Sequence, residues 1–296
     1  MEREFFCCSF FSRFAPEYIK QFFVGLLDGD GSIVVDKVKK NIRVRFFISL
    51  KHSPDNFKML LIIKEYVGGS VRVERKDMYV TWSATSKEDI KKVLSILDKY
   101  PLLTSRKQCQ LTFALKYFDK AITKYSIDHF DLSRKNKYIN QNDFLRTDPP
   151  TLGGASVLPF YFKGWFSGFV EAESHFKLTY RPTGGTSVAR GAFCVGSFAF
   201  KAVDKYLLEM IKFFLESNHP TFKAKNKNPP NDFPGKLKLS EFSKSNLKIK
   251  SNLVHYKVSI YGEKSRQILI NHFKLYPLLG DKNNSYIKWL AKNYIK

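Results

Sequence analysis

Four carboxylates, set in two pairs of identical spacing, are the residues of this chain best placed to do chemistry. Asp28 and Asp30 close the segment Pro16–Gly31 (PEYIKQFFVGLLDGDG), and Glu171 and Glu173 close Pro159–Ser174 (PFYFKGWFSGFVEAES). Counted from each proline, a glycine comes 9 positions on (25−16, 168−159), a small residue 13 on (29−16, 172−159) and the later acid 14 on (30−16, 173−159). Two unrelated helices would not share every offset. A carboxylate at a helix C-terminus faces the negative end of the helix dipole, at a cost of about 0.3–1 kcal/mol, and two brought together repel further. A cation should compensate, and hard oxygen donors with an open shell suit Mg²⁺, with Mn²⁺ able to substitute. A lone Gly-Asp-Gly at a helix end is usually only a turn; duplication in register on so basic a chain reverses that expectation.

Helices must hold these acids. Proline suits a first helical position, where its missing N–H costs nothing, and Gly31 offers a left-handed stop, so each helix is expected to run from its proline to about its second acid. Gly25 and Gly29 lie four apart, as do Gly168 and Ala172, and each pair forms a small-residue stripe on one face. The two helices are expected to pack through these stripes. After each helix the apolar period becomes alternating, which reads as strand. Hairpins are predicted from Ser32 to Leu50 and from His175 to Phe200. Helices at Pro54–Tyr66 and Asp204–Leu215 follow, then second hairpins, Ser70–Arg75 with Met78–Ala84 and Thr221–Lys225 with His255–Tyr261. Each half ends with a helix closing on Tyr-Pro-Leu-Leu (Tyr100–Leu103, Tyr276–Leu279) and a last amphipathic helix. The expected fold is α+β: two pseudo-symmetric αββαββα repeats, residues 1–127 and 158–296, joined by a polar, turn-rich linker at 128–157. Residues 226–252 read as a polar insertion, too long for a tight turn.

The nonapeptides Phe23–Gly31 (FVGLLDGDG) and Phe166–Ser174 (FSGFVEAES) resemble the LAGLIDADG motif, the second more loosely because Ser174 stands where the family usually has glycine. The whole chain resembles a single-chain, two-repeat LAGLIDADG homing endonuclease. That resemblance implies repeats packed through their motif helices, antiparallel sheets forming a DNA-binding saddle, and metal-dependent double-strand cleavage at a long site by phosphodiester hydrolysis. Asp30 and Glu173 would hold the metal. Asp28 and Glu171, about 200° around a helix from the later acids, are assigned to caps or interface contacts. The family commonly has a lysine five positions after the proline of the Tyr-Pro-Leu-Leu repeat, and arginine there would preserve the charge but not a lysine's role in proton transfer. That position is Lys282 in the second half (277+5) and Arg106 in the first (101+5), with Lys107 taking it if the register slips by one.

Strand parity selects residues for reading DNA. Arg43 and Arg45 oppose Val44 and Phe46; Arg72 and Glu74 oppose Val71 and Val73; Lys177, Thr179 and Arg181 oppose Phe176, Leu178 and Tyr180. A two-stranded ribbon fits the major groove, where Arg and Lys pair with guanine edges.

With 50 Lys+Arg against 27 Asp+Glu, the net charge of +23 calls for a polyanionic partner. Double-stranded DNA bound by a monomer is the leading expectation. The alternative is a maturase that binds intron RNA and assists splicing, with or without nuclease activity; a purely DNA-binding descendant should have lost one or both acids. Cys7, Cys8, Cys109 and Cys194 show no metal-ligand or redox spacing. No apolar run reaches the ~20 residues of a membrane span, so a soluble chain is expected. Residues 1–13 carry two early glutamates that spoil a transit peptide, so a mitochondrial or other organellar location is implied by the resemblance alone.

Overall fold

The computed structural model describes residues 14–38, 41–118, 128–144, 151–152, 155–156, 158–179, 193–201, 204–217, 238–242, 255–260 and 263–294. The chain divides into two units: residues 1–145 with 161–172, and residues 146–160 with 173–296.

In the first unit α1 (Pro16–Gly29) begins on Pro16, and the N–H of its C-cap, Asp30, bonds back to the carbonyls of Leu26 and Leu27. Ile19, Phe22, Phe23, Val24, Leu26 and Leu27 are all buried, so the helix is apolar on most sides and sits inside the unit. β1 (Gly31–Val38) and β2 (Asn41–Lys51) follow as an antiparallel pair. Ser53 caps α2 (Pro54–Val67) by accepting the Asn56 N–H. β3 (Ser70–Glu74) and β4 (Tyr79–Ala84) form the second hairpin, and α3 (Lys87–Lys99) and α4 (Ser105–Tyr117) complete the repeat. The sheet runs β1-β2-β4-β3, all antiparallel. Its inner parity (Ile33, Val35, Val44, Phe46, Ile48, Val80, Trp82) is buried. Phe23 of α1 meets Trp82 edge-on with ring centroids 5.0 Å apart.

The left-handed stop expected at Gly31 does not form. Among the described residues positive φ occurs at Gly68, Gly69, Arg75, Lys76 and Asp77, so the chain leaves α1 through ordinary backbone. Glycine is required there for space: a Cβ would lie 2.5 Å from the Leu27 carbonyl oxygen and 2.7 Å from its Cα. Ser174, at the matching position of the second motif, accordingly needs no left-handed conformation.

The stretch read as a linker is partly folded onto the first unit. α5 (Phe130–Lys135) buries Phe130 against Phe113 and Tyr117, with centroids 6.0 and 5.4 Å away, and a 3₁₀ turn spans Gln141–Phe144. One aromatic anchor outweighs the polar composition around it. Beyond it, β5 (Thr151–Leu152) and β6 (Ala155–Ser156) make a minimal hairpin.

α6 (Phe162–Glu173) carries the second motif, and its residues up to Ala172 belong to the first unit because they lie on α1. A Cβ on Gly25 would collide with the Trp165 carbonyl oxygen and sit 2.8 Å from the Phe169 nitrogen. Reciprocally, a Cβ on Gly168 would collide with the Phe22 carbonyl oxygen and sit 2.9 Å from the Leu26 nitrogen. The backbones touch at these two glycines; Gly164 against Gln21 is a third close point, whereas Gly29 and Ala172 are only half-buried. α6 starts at Phe162 rather than at Pro159. Tyr161 fixes that start by accepting the Trp165 N–H on its carbonyl and donating its hydroxyl to the Pro101 carbonyl at 2.5 Å.

The second unit contains β7 (Ser174–Thr179), β8 (Phe193–Lys201), α7 (Lys205–Ser217), β9 (Lys238–Phe242), β10 (His255–Ile260), α8 (Glu263–Leu275) and α9 (Asp281–Tyr294). Its sheet order, β7-β8-β10-β9, repeats the first topology. Phe176 packs on Phe273, Tyr286 and Trp289 with centroids 5.6–6.5 Å apart. The expected strand Thr221–Lys225 lies outside the described residues. The strand that pairs with β10 on its far side is β9, drawn from the stretch read as an insertion. The short period of KLSEF is drowned there by flanking lysine, asparagine and proline.

Candidate active site and nucleic-acid face

The two acids of each motif end in opposite environments. Asp30 and Glu173 are exposed, one as the C-cap of α1 and the other as the last residue of α6. Asp28 and Glu171 are buried. The Asp28 carboxylate accepts four hydrogen bonds: Leu103 N–H (2.8 Å) and Trp165 Nε1–H (2.8 Å) on Oδ2, Thr104 N–H (3.2 Å) and Thr104 Oγ1–H (2.7 Å) on Oδ1. Burial pushes Asp28 up to about 6, with the bonds from Leu103, Thr104 and Trp165 opposing the rise. This carboxylate therefore ties α1 to the loop that launches α4 and to the second motif helix.

That loop positions a lysine. Lys107, buried on the first turns of α4, donates its ammonium to the Gly31 carbonyl, next in sequence to Asp30. In the second unit Lys282 of α9 donates to the Ser174 carbonyl at 2.5 Å, next in sequence to Glu173. The two contacts are equivalent, because Gly31 and Ser174 hold the same motif position. Arg106, the residue selected by counting from the proline, is turned away: it is exposed and lies over the Tyr138 ring, 5.7 Å from its centroid. Three residues (Thr104, Ser105, Arg106) separate Leu103 from Lys107, whereas two (Gly280, Asp281) separate Leu279 from Lys282, and this shifts the register by one.

The outer parity of the first sheet presents Arg43, Arg45, Phe47 and Ser49 from β2, Asp36 from β1, Thr81 and Ser83 from β4, and Arg72 and Glu74 from β3. Arg45 forks onto Asp36, its Nε donating at 3.0 Å and its Nη2 also in contact, while Arg43 Nη2 lies 3.9 Å from the same oxygen. Arg72 Nε pairs with Glu74 at 2.8 Å, and Glu74 also accepts the Thr81 hydroxyl at 3.2 Å. A cavity of about 130 Å³ opens between Arg45, Phe47, Arg72, Arg75 and Thr81. Glu74 falls on the arginine face as strand parity predicts, whereas Asp36 had escaped selection although the same parity places it there. In β7, Lys177 pairs in register with Val195 and Thr179 with Phe193; Arg181 lies outside the described residues.

Exposed oxygen donors at Asp30 and Glu173 fit a hard divalent ion. Among the described residues no group of three His, Cys, Asp or Glu side chains converges, so such an ion would draw its remaining ligands from water and substrate phosphate.

A probable intron-encoded endonuclease of Dictyostelium citrinum is 31% identical over 289 residues, an alignment covering 94% of this chain and 96% of that one. Residues 23–118 match the LAGLIDADG endonuclease family. The chain belongs to that family. A probable intron-encoded endonuclease of Debaryomyces hansenii is 32% identical over 93% of this chain, which spans only 38% of that longer protein. The LAGLIDADG fold itself is seen in the meganuclease I-CpaMI, solved bound to uncleaved DNA, with a TM-score of 0.63 at 16% identity over 94% of this chain and 90% of that one.

Proposed function

We propose that this LAGLIDADG protein is a monomeric, metal-dependent, site-specific endonuclease that makes double-strand breaks in DNA by phosphodiester hydrolysis at a long site. The observation that carries the reading is the repeated pairing of an exposed helix-end carboxylate with a lysine seated on the next carbonyl, Asp30 with Lys107 and Glu173 with Lys282. A bound Mg²⁺, held by Asp30 or Glu173, would activate water and neutralise charge on the scissile phosphate. Lys107 and Lys282 hold positive charge beside those carboxylates, where negative charge develops as the leaving oxygen departs. Arg43, Arg45 and Arg72 would grip and read the duplex from the outer sheet face, with Lys177, Thr179 and Arg181 as the second unit's counterparts. The relatives' names support a coding sequence within an intron; a mitochondrial or other organellar genome follows from the family resemblance.

Selection of cleaved sequences from a randomised DNA library in Mg²⁺ tests the proposal and yields the target together. One enriched long site is the expected result. A library left uncut in both Mg²⁺ and Mn²⁺ would sink it.

A further inference from the structure

The residue displaced from the lysine position has gathered partners of its own. Arg106 and Lys137 both lie over the Tyr138 ring, 5.7 and 5.0 Å from its centroid, and among the described residues neither forms an ion pair with a carboxylate. Two cations drawn to one ring repel each other unless an anion joins them. The ring is firmly built in. Gln110 accepts the Ile33 N–H of β1 on its Oε1 at 3.4 Å, which fixes the amide so that its Nε2 donates to the Tyr138 hydroxyl oxygen at 2.9 Å. The reverse amide orientation would set donor against donor. Gln141 Nε2 donates to Ser105 Oγ at 2.8 Å, pinning the same segment to the start of α4. Tyr138 therefore accepts from Gln110, and its own hydrogen is left to donate outward. Two cations and an outward O–H match a ligand that is anionic and has only acceptors, which describes a phosphodiester.

We propose that Arg106, Lys137 and the Tyr138 hydroxyl clamp one backbone phosphate of the DNA duplex, one residue along α4 from the lysine seated beside Asp30. The clamp rests on the endonuclease reading, and it makes the segment after α5 a DNA contact rather than a tether. Such a contact adds affinity without sequence preference.

The test is binding of a duplex of roughly 30 base pairs, followed by fluorescence anisotropy over a salt series in Ca²⁺. Wild type, Arg106→Gln/Lys137→Gln and Tyr138→Phe are compared, with thermal melts of each. The double variant should show a salt slope shallower by about 0.9, the value for one phosphate no longer neutralised. Tyr138→Phe should bind more weakly with the wild-type slope, since a neutral hydroxyl releases no counterion. An unchanged slope in a stably folded double variant overturns the clamp alone, as does unaltered binding by Tyr138→Phe. A slope change confined to an RNA hairpin overturns the DNA assignment. Failure of wild type to bind the duplex at low salt overturns the endonuclease reading and the clamp together.

Discussion

Asp28 and Asp30 are two positions apart in sequence, yet one is a buried acceptor of four hydrogen bonds and the other an exposed helix cap. The chemistry divides accordingly. Asp30→Asn and Glu173→Gln are each expected to abolish double-strand cleavage while keeping affinity in Ca²⁺, because losing one carboxylate leaves the basic sheets intact; near-wild-type cutting of both strands by either variant would falsify the assignment. Lys107→Met should slow single-turnover cleavage by about 10², the usual loss for one donor aimed at developing charge. A rate within twofold of wild type would return Lys107 to a structural role. Asp28 predicts a pH effect. Its folded value of about 6 lies above the unfolded value, so its stabilising contribution is complete at low pH and is lost as pH rises through about 6. Between roughly pH 4 and 6 wild type should therefore lose on the order of 3 kcal/mol relative to its own acid-side stability. Asp28→Asn should be less stable throughout, since its amide meets two donors it cannot accept, but should lack that decline. Parallel denaturation curves for the two proteins across this range would refute the buried-carboxylate account.

At the scale of elements, the crossing of α1 and α6 is set by two glycines that admit no side chain. A Cβ at Gly25 or Gly168 meets a backbone carbonyl, which cannot swing aside as a flexible side chain would. Gly25→Ala should already lower the melting temperature, and Gly25→Leu or Gly168→Leu should cost at least the roughly 1–3 kcal/mol of an overpacked core. Cleavage should fall with stability, because α6 also ends in Glu173 and catalytic geometry tolerates little displacement. An exposed helix glycine would behave oppositely, gaining up to ~1 kcal/mol on substitution by alanine. Differential scanning calorimetry of the three variants decides by the sign of the shift. On the sheet, Asp36 and Glu74 hold Arg45 and Arg72 in place, which would reduce the side-chain entropy lost if this face takes up DNA as proposed.

For the whole molecule, an excess of 23 positive charges makes DNA affinity a function of ionic strength before any base is read. With several phosphates neutralised, affinity should fall steeply between about 50 and 200 mM salt, by about 0.9 in log K per phosphate for each decade of salt. A flat response in a titration over that range would mean the basic surface is not the binding surface.

The duplicated spacing of prolines, small residues and acids was visible without coordinates because helix periodicity and strand alternation are local, and a repeat displays them twice. The order of elements, the arginine parity on β2 and β3, and the exposed acids at the motif ends all follow from local rules. Tertiary structure decided what depends on atoms far apart in the chain. It chose Lys107 over Arg106, because only packing tells which neighbour on a helix turn meets the Gly31 carbonyl. It brought β9 out of a polar stretch, because strand pairing is set by the free edge of β10. It anchored α5 through Phe130, and it gave Gly31 a reason that conformation alone had misattributed: no room for a Cβ beside Leu27, whatever the sign of φ.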